Sequence, residues 1–451
     1  MRGIGMLRTG AMVVALLALL AMPVLANGQQ EAESETDEPV KVVFWGGVVA
    51  ERGPAMMVEE WNSQNSDVEL EYVRFVNNDD GNTKLDTAII SGQQVDIYLN
   101  YNNDLAVRRF NNGMGEDLRP YVDEDGWDLE AAFGDVIRGA YVDEQLAFLP
   151  SSVAYEVVYY NQTAFEEKGI TIPENWTWDD YADIAQQMTE GEGTERKYGS
   201  MFFPWGPVMF GSASVDLGPN ARYNEEGLSN FDHPVYRKLL GAHVRMEQVD
   251  QSQMPLYEMI SSKARPFDEF LKGNTYMFGV TNPWVMKYIK DTESYPHDFV
   301  TAIAPSPRAF REGEHWDNGG IVDRLMMNPN SENKDAVWDV MRYLATEGSW
   351  HNVAFGRLPS WSQFDSEEVA VEFLGDAAES LIDVETFMQY QLPESPRFPM
   401  DTIFTAAPEI DQITSEEYEK ALLGEISVDE AIENMKRRAD AAIRAARSRE
   451  E

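Results

Sequence analysis

The sequence predicts an α/β protein of two lobes, built on mainly parallel sheets with flanking helices. Three observations lead there. Apolar residues from position 41 onward switch between alternating and helical spacing in the order β-α-β-α-β, the pattern of a parallel sheet covered on both faces. The chain has 451 residues and is 43% hydrophobic, enough for more than one core. One long strand-like stretch, LAFLPSSVAYEVVYYN, contains a proline and suits a crossing between lobes.

The elements follow in order. Val42, Val43 and Phe44 form a short buried strand within Lys41–Trp45. Pro54–Trp61 sets Met57, Val58 and Trp61 at helical spacing, and SDVELEYVRF alternates Val68, Leu70 and Tyr72 as a strand. TKLDTAIISG places Leu85, Ala88 and Ile89 on one helix face and stops at Gly92, a C-cap residue. VDIYLN is a further buried strand. TWDDYADIAQQMT is a helix with Thr177 and Asp180 in capping-box spacing. Residues 190–235, rich in Gly, Pro and aromatics, read as irregular loop or insertion. NKDAVWDVMRYLATEG is amphipathic through Ala336, Val337, Val340, Met341 and Leu344. The last helix opens on a second capping box, Ser427 and Glu430, and buries Ala431, Ile432, Met435, Ala439 and Ile443. No fixed-period repeat points to a solenoid.

Charge narrows the partners. With 36 Lys and Arg against 78 Asp and Glu, the net charge is −42. Such a chain repels nucleic acid and anionic membrane, and no basic patch is visible in the sequence. There is no cysteine, which excludes disulfides, thiolate metal sites, Cys nucleophiles and a lipid-attachment Cys. Arg2, Arg8 and AMVVALLALLAM before VLA at Val24–Ala26 read as an export signal, residues 1–26, cleaved after Ala26. The apolar run is shorter than the roughly 20 residues of a membrane span, and Pro23 follows it. Residues 27–40 form an acidic, aperiodic leader, expected to be disordered.

Catalytic patterns are missing. His233, His243, His297, His315 and His351 make no H-E-x-x-H spacing, and no G-x-S-x-G elbow, P-loop or G-x-G-x-x-G follows a strand. DEDGWD at Asp123–Asp128 has its glycine too early for an EF-hand and reads as a solvated turn. Among 78 acids a glycosidase-like carboxylate pair carries no information. The expectation is a binding protein, not an enzyme, without metal or cofactor.

Aromatic placement is the informative feature. Trp45 ends a strand, Tyr98 and Tyr101 flank the end of another, and Tyr155 lies in the crossing segment. Trp205 in FPWGP, Trp284 in TNPWVM and Trp361 in LPSWSQF sit beside Gly, Pro or Asn rather than in helical stripes. Ligands of α/β sheets bind beyond the carboxyl ends of strands. An aromatic face there stacks on the C–H face of a sugar, while Asn, Asp and Arg bond its hydroxyls. The competing role for each ring is a plug in the core.

The order of these segments resembles the family 1 extracellular solute-binding proteins of ABC importers, the maltose/multiple-sugar type. VVFWGG resembles the family's opening strand and MMVEEWNSQNSDVELEYVRF its first helix and second strand. TAIISGQQVDIYL is similar to the next segment, with Val95 where Pro is usual, and NNGMGEDLRPYV follows. VVYYNQTAFEEKGITIPENWTWDDYADIAQQM is the most specific match, and NPWVMKY, NGGIVDRLMMNPNSENKDAVWDVMRYLA and ALLGEISVDEAIENM come after it in order, so that the resemblance covers residues 41–445. It implies a type II-like periplasmic-binding-protein fold, with lobe one at 41–150 plus 301–350, lobe two at 151–300 plus 351–451, and a cleft that closes by hinge motion. The implied function is capture of a mono- or oligosaccharide and its delivery to membrane permease subunits, by a periplasmic or secreted monomer that binds no nucleic acid. The alternatives are the same fold binding another polar metabolite, such as glycerol phosphate, or a secreted carbohydrate-active enzyme. By position the resemblance implies Trp284 as the sugar-stacking ring, then Asn100 and Asn103 with Tyr101 as the nearby aromatic. It also implies Tyr155 or Ser152 in the crossing, Trp45 after strand one, and Gly319, Gly320, Arg357 and Arg397 at the cleft edge. Trp205 and Trp361 join them by aromatic placement.

Overall fold

The computed structural model describes residues 38–205, 207–393 and 396–450. The export signal and the leader up to residue 37 lie outside the described residues.

Strand β1 (Val40–Gly46) pairs in parallel with β2 (Val68–Arg74) and with β3 (Ile97–Asn100). The intervening helices, Pro54–Gln64 and Asp79–Ile90, complete the β-α-β-α-β start that the apolar spacing predicts. A small hairpin, β4 (Tyr141–Val142) and β5 (Gln145–Leu146), precedes β6 (Leu149–Tyr155) and β7 (Val157–Asn161). The remaining strands are β8 (Tyr198–Met201), β9 (Thr275–Thr281), β10 (Thr301–Pro305), β11 (Gly319–Met327) and β12 (Leu358–Pro359).

They form a six-stranded sheet in the order β12-β6-β11-β3-β1-β2 and a four-stranded sheet in the order β10-β7-β9-β8. Both sheets are mixed. In the first, β11 runs antiparallel to β3 and β6, and β12 antiparallel to β6. In the second, β8 and β9 are parallel, while β7 runs antiparallel to β9 and β10. Strands that run on through a crossing fill places no local βαβ unit supplies, and they bring the antiparallel pairs.

The proline-bearing stretch does cross. Its first half is β6 in the six-stranded sheet, its second half β7 in the four-stranded one, with Glu156 between. β10 and β11 make the return crossing. The two crossings are tied together: Glu156 N–H donates to the Asn318 carbonyl at 2.9 Å, and Ser306 Oγ donates to the Glu156 carbonyl at 2.6 Å.

Alternation along β7 divides two cores. Tyr159 points into a large core shared by both sheets, where it stacks on Phe278, and Val158 into a second core under the C-terminal helices. The final helix, Val428–Glu450, buries Ala431, Ile432, Met435, Ala439 and Ile443 there, the stripe read from its spacing. Thr177 and Asp180 form the reciprocal capping box of the Trp178–Met188 helix. Residues 190–235 are less irregular than expected. They hold β8 and the short helices Val208–Gly211 and Ala213–Leu217, elements too brief to show a period against Gly, Pro and aromatics. The DEDGWD turn has structural partners: Asp125 accepts from Trp338 Nε1 and Arg342 Nη1, both at 2.8 Å, and Asp128 caps the Leu129–Phe133 helix. Among the described residues, no helix is long and apolar enough to cross a membrane, and no group of three or more His, Asp or Glu side chains suits a metal ion.

Candidate functional site

The first sheet supplies one wall. β1 ends in Trp45-Gly46-Gly47, where the crowding is by tyrosine. A Cβ on Gly46 would lie 2.9 Å from the Tyr72 ring, and one on Gly47 2.9 Å from the Tyr101 ring. Gly47 N–H donates to Tyr101 Oη at 2.7 Å. The glycines therefore make room for two tyrosines that close over the end of the strand. Trp45 itself is only 2% exposed, and its Nε1 has no partner among the described residues. Its indole offers no open face in this conformation.

Asn100 ends β3 and turns inward. It is 1% exposed, and its Oδ1 accepts from the guanidinium of the fully buried Arg109, which Asp86 holds at 2.6 Å. One turn on, Asn103 is only half-buried, and its Oδ1 accepts from Arg324 Nε at 3.0 Å.

The opposite strand explains how Arg324 gets there. β11 shifts register against β6 on either side of Asp323. Such an irregularity re-aims neighbouring side chains. Both Asp323 and Arg324 are buried, and burial pushes the Arg324 guanidinium down to about 10. Asp323 Oδ1 accepts from Arg357 Nη1 at 2.8 Å, and the Arg357 guanidinium lies 5.5 Å from the centre of the Tyr101 ring. An adjacent acid and base inside the apolar run GGIVDRLMM is a signal the sequence reading passed over.

The second wall is aromatic. Trp205 is 61% exposed and stacks on the buried Phe203 with ring centroids 4.1 Å apart. The Trp284 ring lies 6.2 Å from Trp205 and meets Phe267 and Tyr288 edge-on, at 5.8 and 5.9 Å. Asn282 caps the turn that carries Trp284. Gly356, with φ of +91°, lets the chain pass close by: a Cβ there would sit 3.3 Å from Trp284 Cα. Gly356 precedes Arg357, so the two walls meet. Tyr101, Arg357, Trp284 and Trp205 thus follow one another, and Asn103 is joined to them only through Arg324, the chain neighbour of Asp323.

The other expected residues gather elsewhere. Tyr155 and Trp361 line a separate cavity of about 510 Å³ with Phe398 and Met400. Gly319 and Gly320 pair with Tyr155 and Ala154 beside it, and a Cβ on Gly320 would lie 3.5 Å from Met400. Ser152 is buried at 3% exposure. Arg397 lies over Trp316 at 4.1 Å and bonds Asp317 and Glu314, away from the Trp205–Trp284 run.

The two halves also touch through ions. Arg222, seated by the second core, lies 2.8 Å from Asp411 and 3.7 Å from Asp104, which stands in the first turn of the helix after β3. Burial, with the Asp104 carboxylate beside it, outweighs Arg222 and pushes the Asp411 carboxyl up to about 6.

A family model, bacterial extracellular solute-binding protein, matches residues 50–349. The chain belongs to this family. Solved structures share the solute-binding fold. A sugar transporter of Rhizobium etli in an open conformation superposes with a TM-score of 0.71 at 18% identity, over 89% of this chain and 99% of its own. An ABC substrate-binding protein of Listeria monocytogenes in complex with cycloalternan gives 0.71 at 18% identity, over 90% and 99%. MalE, the sugar-binding protein of Xanthomonas citri, gives 0.69 at 20% identity, over 90% and 98%. The tryptophan pair and the Arg357–Asp323 pair are therefore set in the fold of a solute-binding family.

Proposed function

We propose that this chain is the sugar-capturing component of an ABC importer. One observation carries the reading: a tryptophan held 61% exposed beside a second tryptophan, whose backbone lies against Gly356, the chain neighbour of the Asp323-bound Arg357. The indole faces stack on the apolar C–H face of a pyranose, and Asn103, Asp323 and Arg357 bond its hydroxyls. The sheets close on the sugar about the two crossings at Glu156 and between β10 and β11. The closed form is then what the permease reads. Supporting this, fold relatives include a sugar transporter and a protein solved with cycloalternan.

In this reading the chain works as a monomer, performs no catalysis and binds no nucleic acid. Its signal is cleaved after Ala26, so the exported protein starts at Asn27, which intact-mass measurement tests. The function is tested by thermal unfolding of the mature protein with a panel of mono- and oligosaccharides. A binding sugar raises the melting temperature by mass action. A panel that moves it nowhere, while an amino acid, polyamine or metal does, sinks the sugar assignment. Turnover of a labelled oligosaccharide sinks the non-catalytic one.

A further inference from the structure

Against a net charge of −42, the Trp284 platform carries a cation at its side. Lys287 is half-buried, with its ammonium 5.3 Å from the Trp284 ring centre and 5.0 Å from that of Tyr288. No carboxylate pairs with it among the described residues. Burial first, and then the charges of Arg52 and Arg357, push its ammonium down to about 8. Arg52 is exposed and also acts on Asp291. Arg357 is neutralised on one side by Asp323, and the next residue, Arg324, is a buried cation bonded to Asn103. In this neighbourhood Arg52, Lys287, Arg324 and Arg357 stand against Asp291, Asp323 and Asp104, and Arg265 is matched by Asp268, so that Lys287 beside Trp284 is left, among the described residues, without a carboxylate of its own.

A partly desolvated ammonium with like charges around it and no counter-ion is unfavourable by itself. Its contact with two aromatic rings offsets part of that, and a ligand anion would offset the rest. We infer that the solute is an acidic sugar, one whose carboxylate or phosphate meets Lys287 while its ring stacks on Trp284 and Trp205. This rests on the sugar reading above and narrows it. The cluster favours an anionic sugar over its neutral counterpart by Coulomb attraction, and the preference weakens with salt.

The test is titration calorimetry on the mature full-length protein with matched probes: glucose and glucuronate, galactose and galacturonate, xylobiose and its aldobiuronic counterpart, and glucose 6-phosphate. The expected result is at least tenfold tighter binding of an acidic member than of its neutral partner. That advantage shrinks as NaCl rises from 0.05 to 0.5 M and is lost in Lys287→Met, which keeps an apolar stem against Trp284. Arg52→Gln, at an exposed position, reduces it in the same direction. Glucose 6-phosphate binding without the uronates assigns the anion as phosphate and supports the inference. Neutral sugars bound as well as or better than acidic ones, with Lys287→Met unchanged in preference, overturn it and leave the sugar reading standing. No binding by any probe, acidic or neutral, overturns both.

Discussion

Trp205 lies flat on Phe203, the ring planes 19° apart, with its outer face in solvent. A buried aromatic thus holds an exposed one in place before any ligand arrives, which lowers the entropy lost on binding.

The two tryptophans of the platform are expected to behave differently. Trp205→Ala removes an exposed ring stacked on Phe203: affinity for the cognate sugar falls at least tenfold, and ligand-free stability falls by only about 0.5–1.5 kcal/mol. Trp284 packs edge-on against Phe267 and Tyr288, so Trp284→Ala weakens binding and also costs about 2–3 kcal/mol of stability. Calorimetry together with urea unfolding separates the cases. Intact affinity in Trp205→Ala would mean that the solute sits elsewhere.

Asn100 is expected to report on stability. Its Oδ1 satisfies the buried Arg109, so Asn100→Ala leaves a buried cation short of an acceptor, at a cost of about 1–3 kcal/mol. The urea midpoint drops, while sugar affinity stays within about twofold of wild type at a temperature where both are folded. A large affinity loss with an unchanged midpoint would place Asn100 against the ligand instead.

Gly319 pairs with Tyr155 where the chain returns to the first sheet. It has φ of +143°, and a Cβ would come 2.1 Å from the Ala154 carbonyl. Gly319→Ala should destabilise by about 2 kcal/mol or more. Gly211→Ala, where nothing lies within 4 Å, is the neutral control. Equal urea midpoints for the two variants would refute this reading of the crossing.

Glu156 links the crossings to pH. Burial pushes its carboxyl from an ordinary 4.5 up to about 7. The native state therefore holds this proton more tightly than the unfolded chain does. The stabilisation it contributes is complete below about pH 4.5 and is lost as pH rises through 7. Glu156→Gln mimics the protonated form. Relative to wild type, its melting temperature should be higher at pH 8 than at pH 4.5, and a pH-independent difference would falsify the assignment.

Much of the fold is legible in the order of apolar segments. The parallel β1–β2–β3 start, the crossing at the proline-bearing stretch and the stripe of the last helix all follow from local periodicity, which depends only on near neighbours. The short strand β8 is not legible, because four residues carry too little pattern. Within the site, Trp205, Trp284, Tyr101, Asn103 and Arg357 come together, whereas Asp323, Arg324 and Lys287 escape notice. Their meaning depends on a register irregularity in β11 and on a turn of chain lying beside Gly356.

The class of the protein is readable along the chain: an acidic, cysteine-free α/β protein with aromatics set at element ends and the segment order of a solute-binding family. Which aromatics are exposed depends on the packing of the folded chain. Trp45 and Trp205 look alike in the chain, each ending or following a strand beside glycine or proline. One lies in the core at 2% exposure and the other is propped into solvent by Phe203. Burial is set by residues distant along the chain, and no local spacing encodes it.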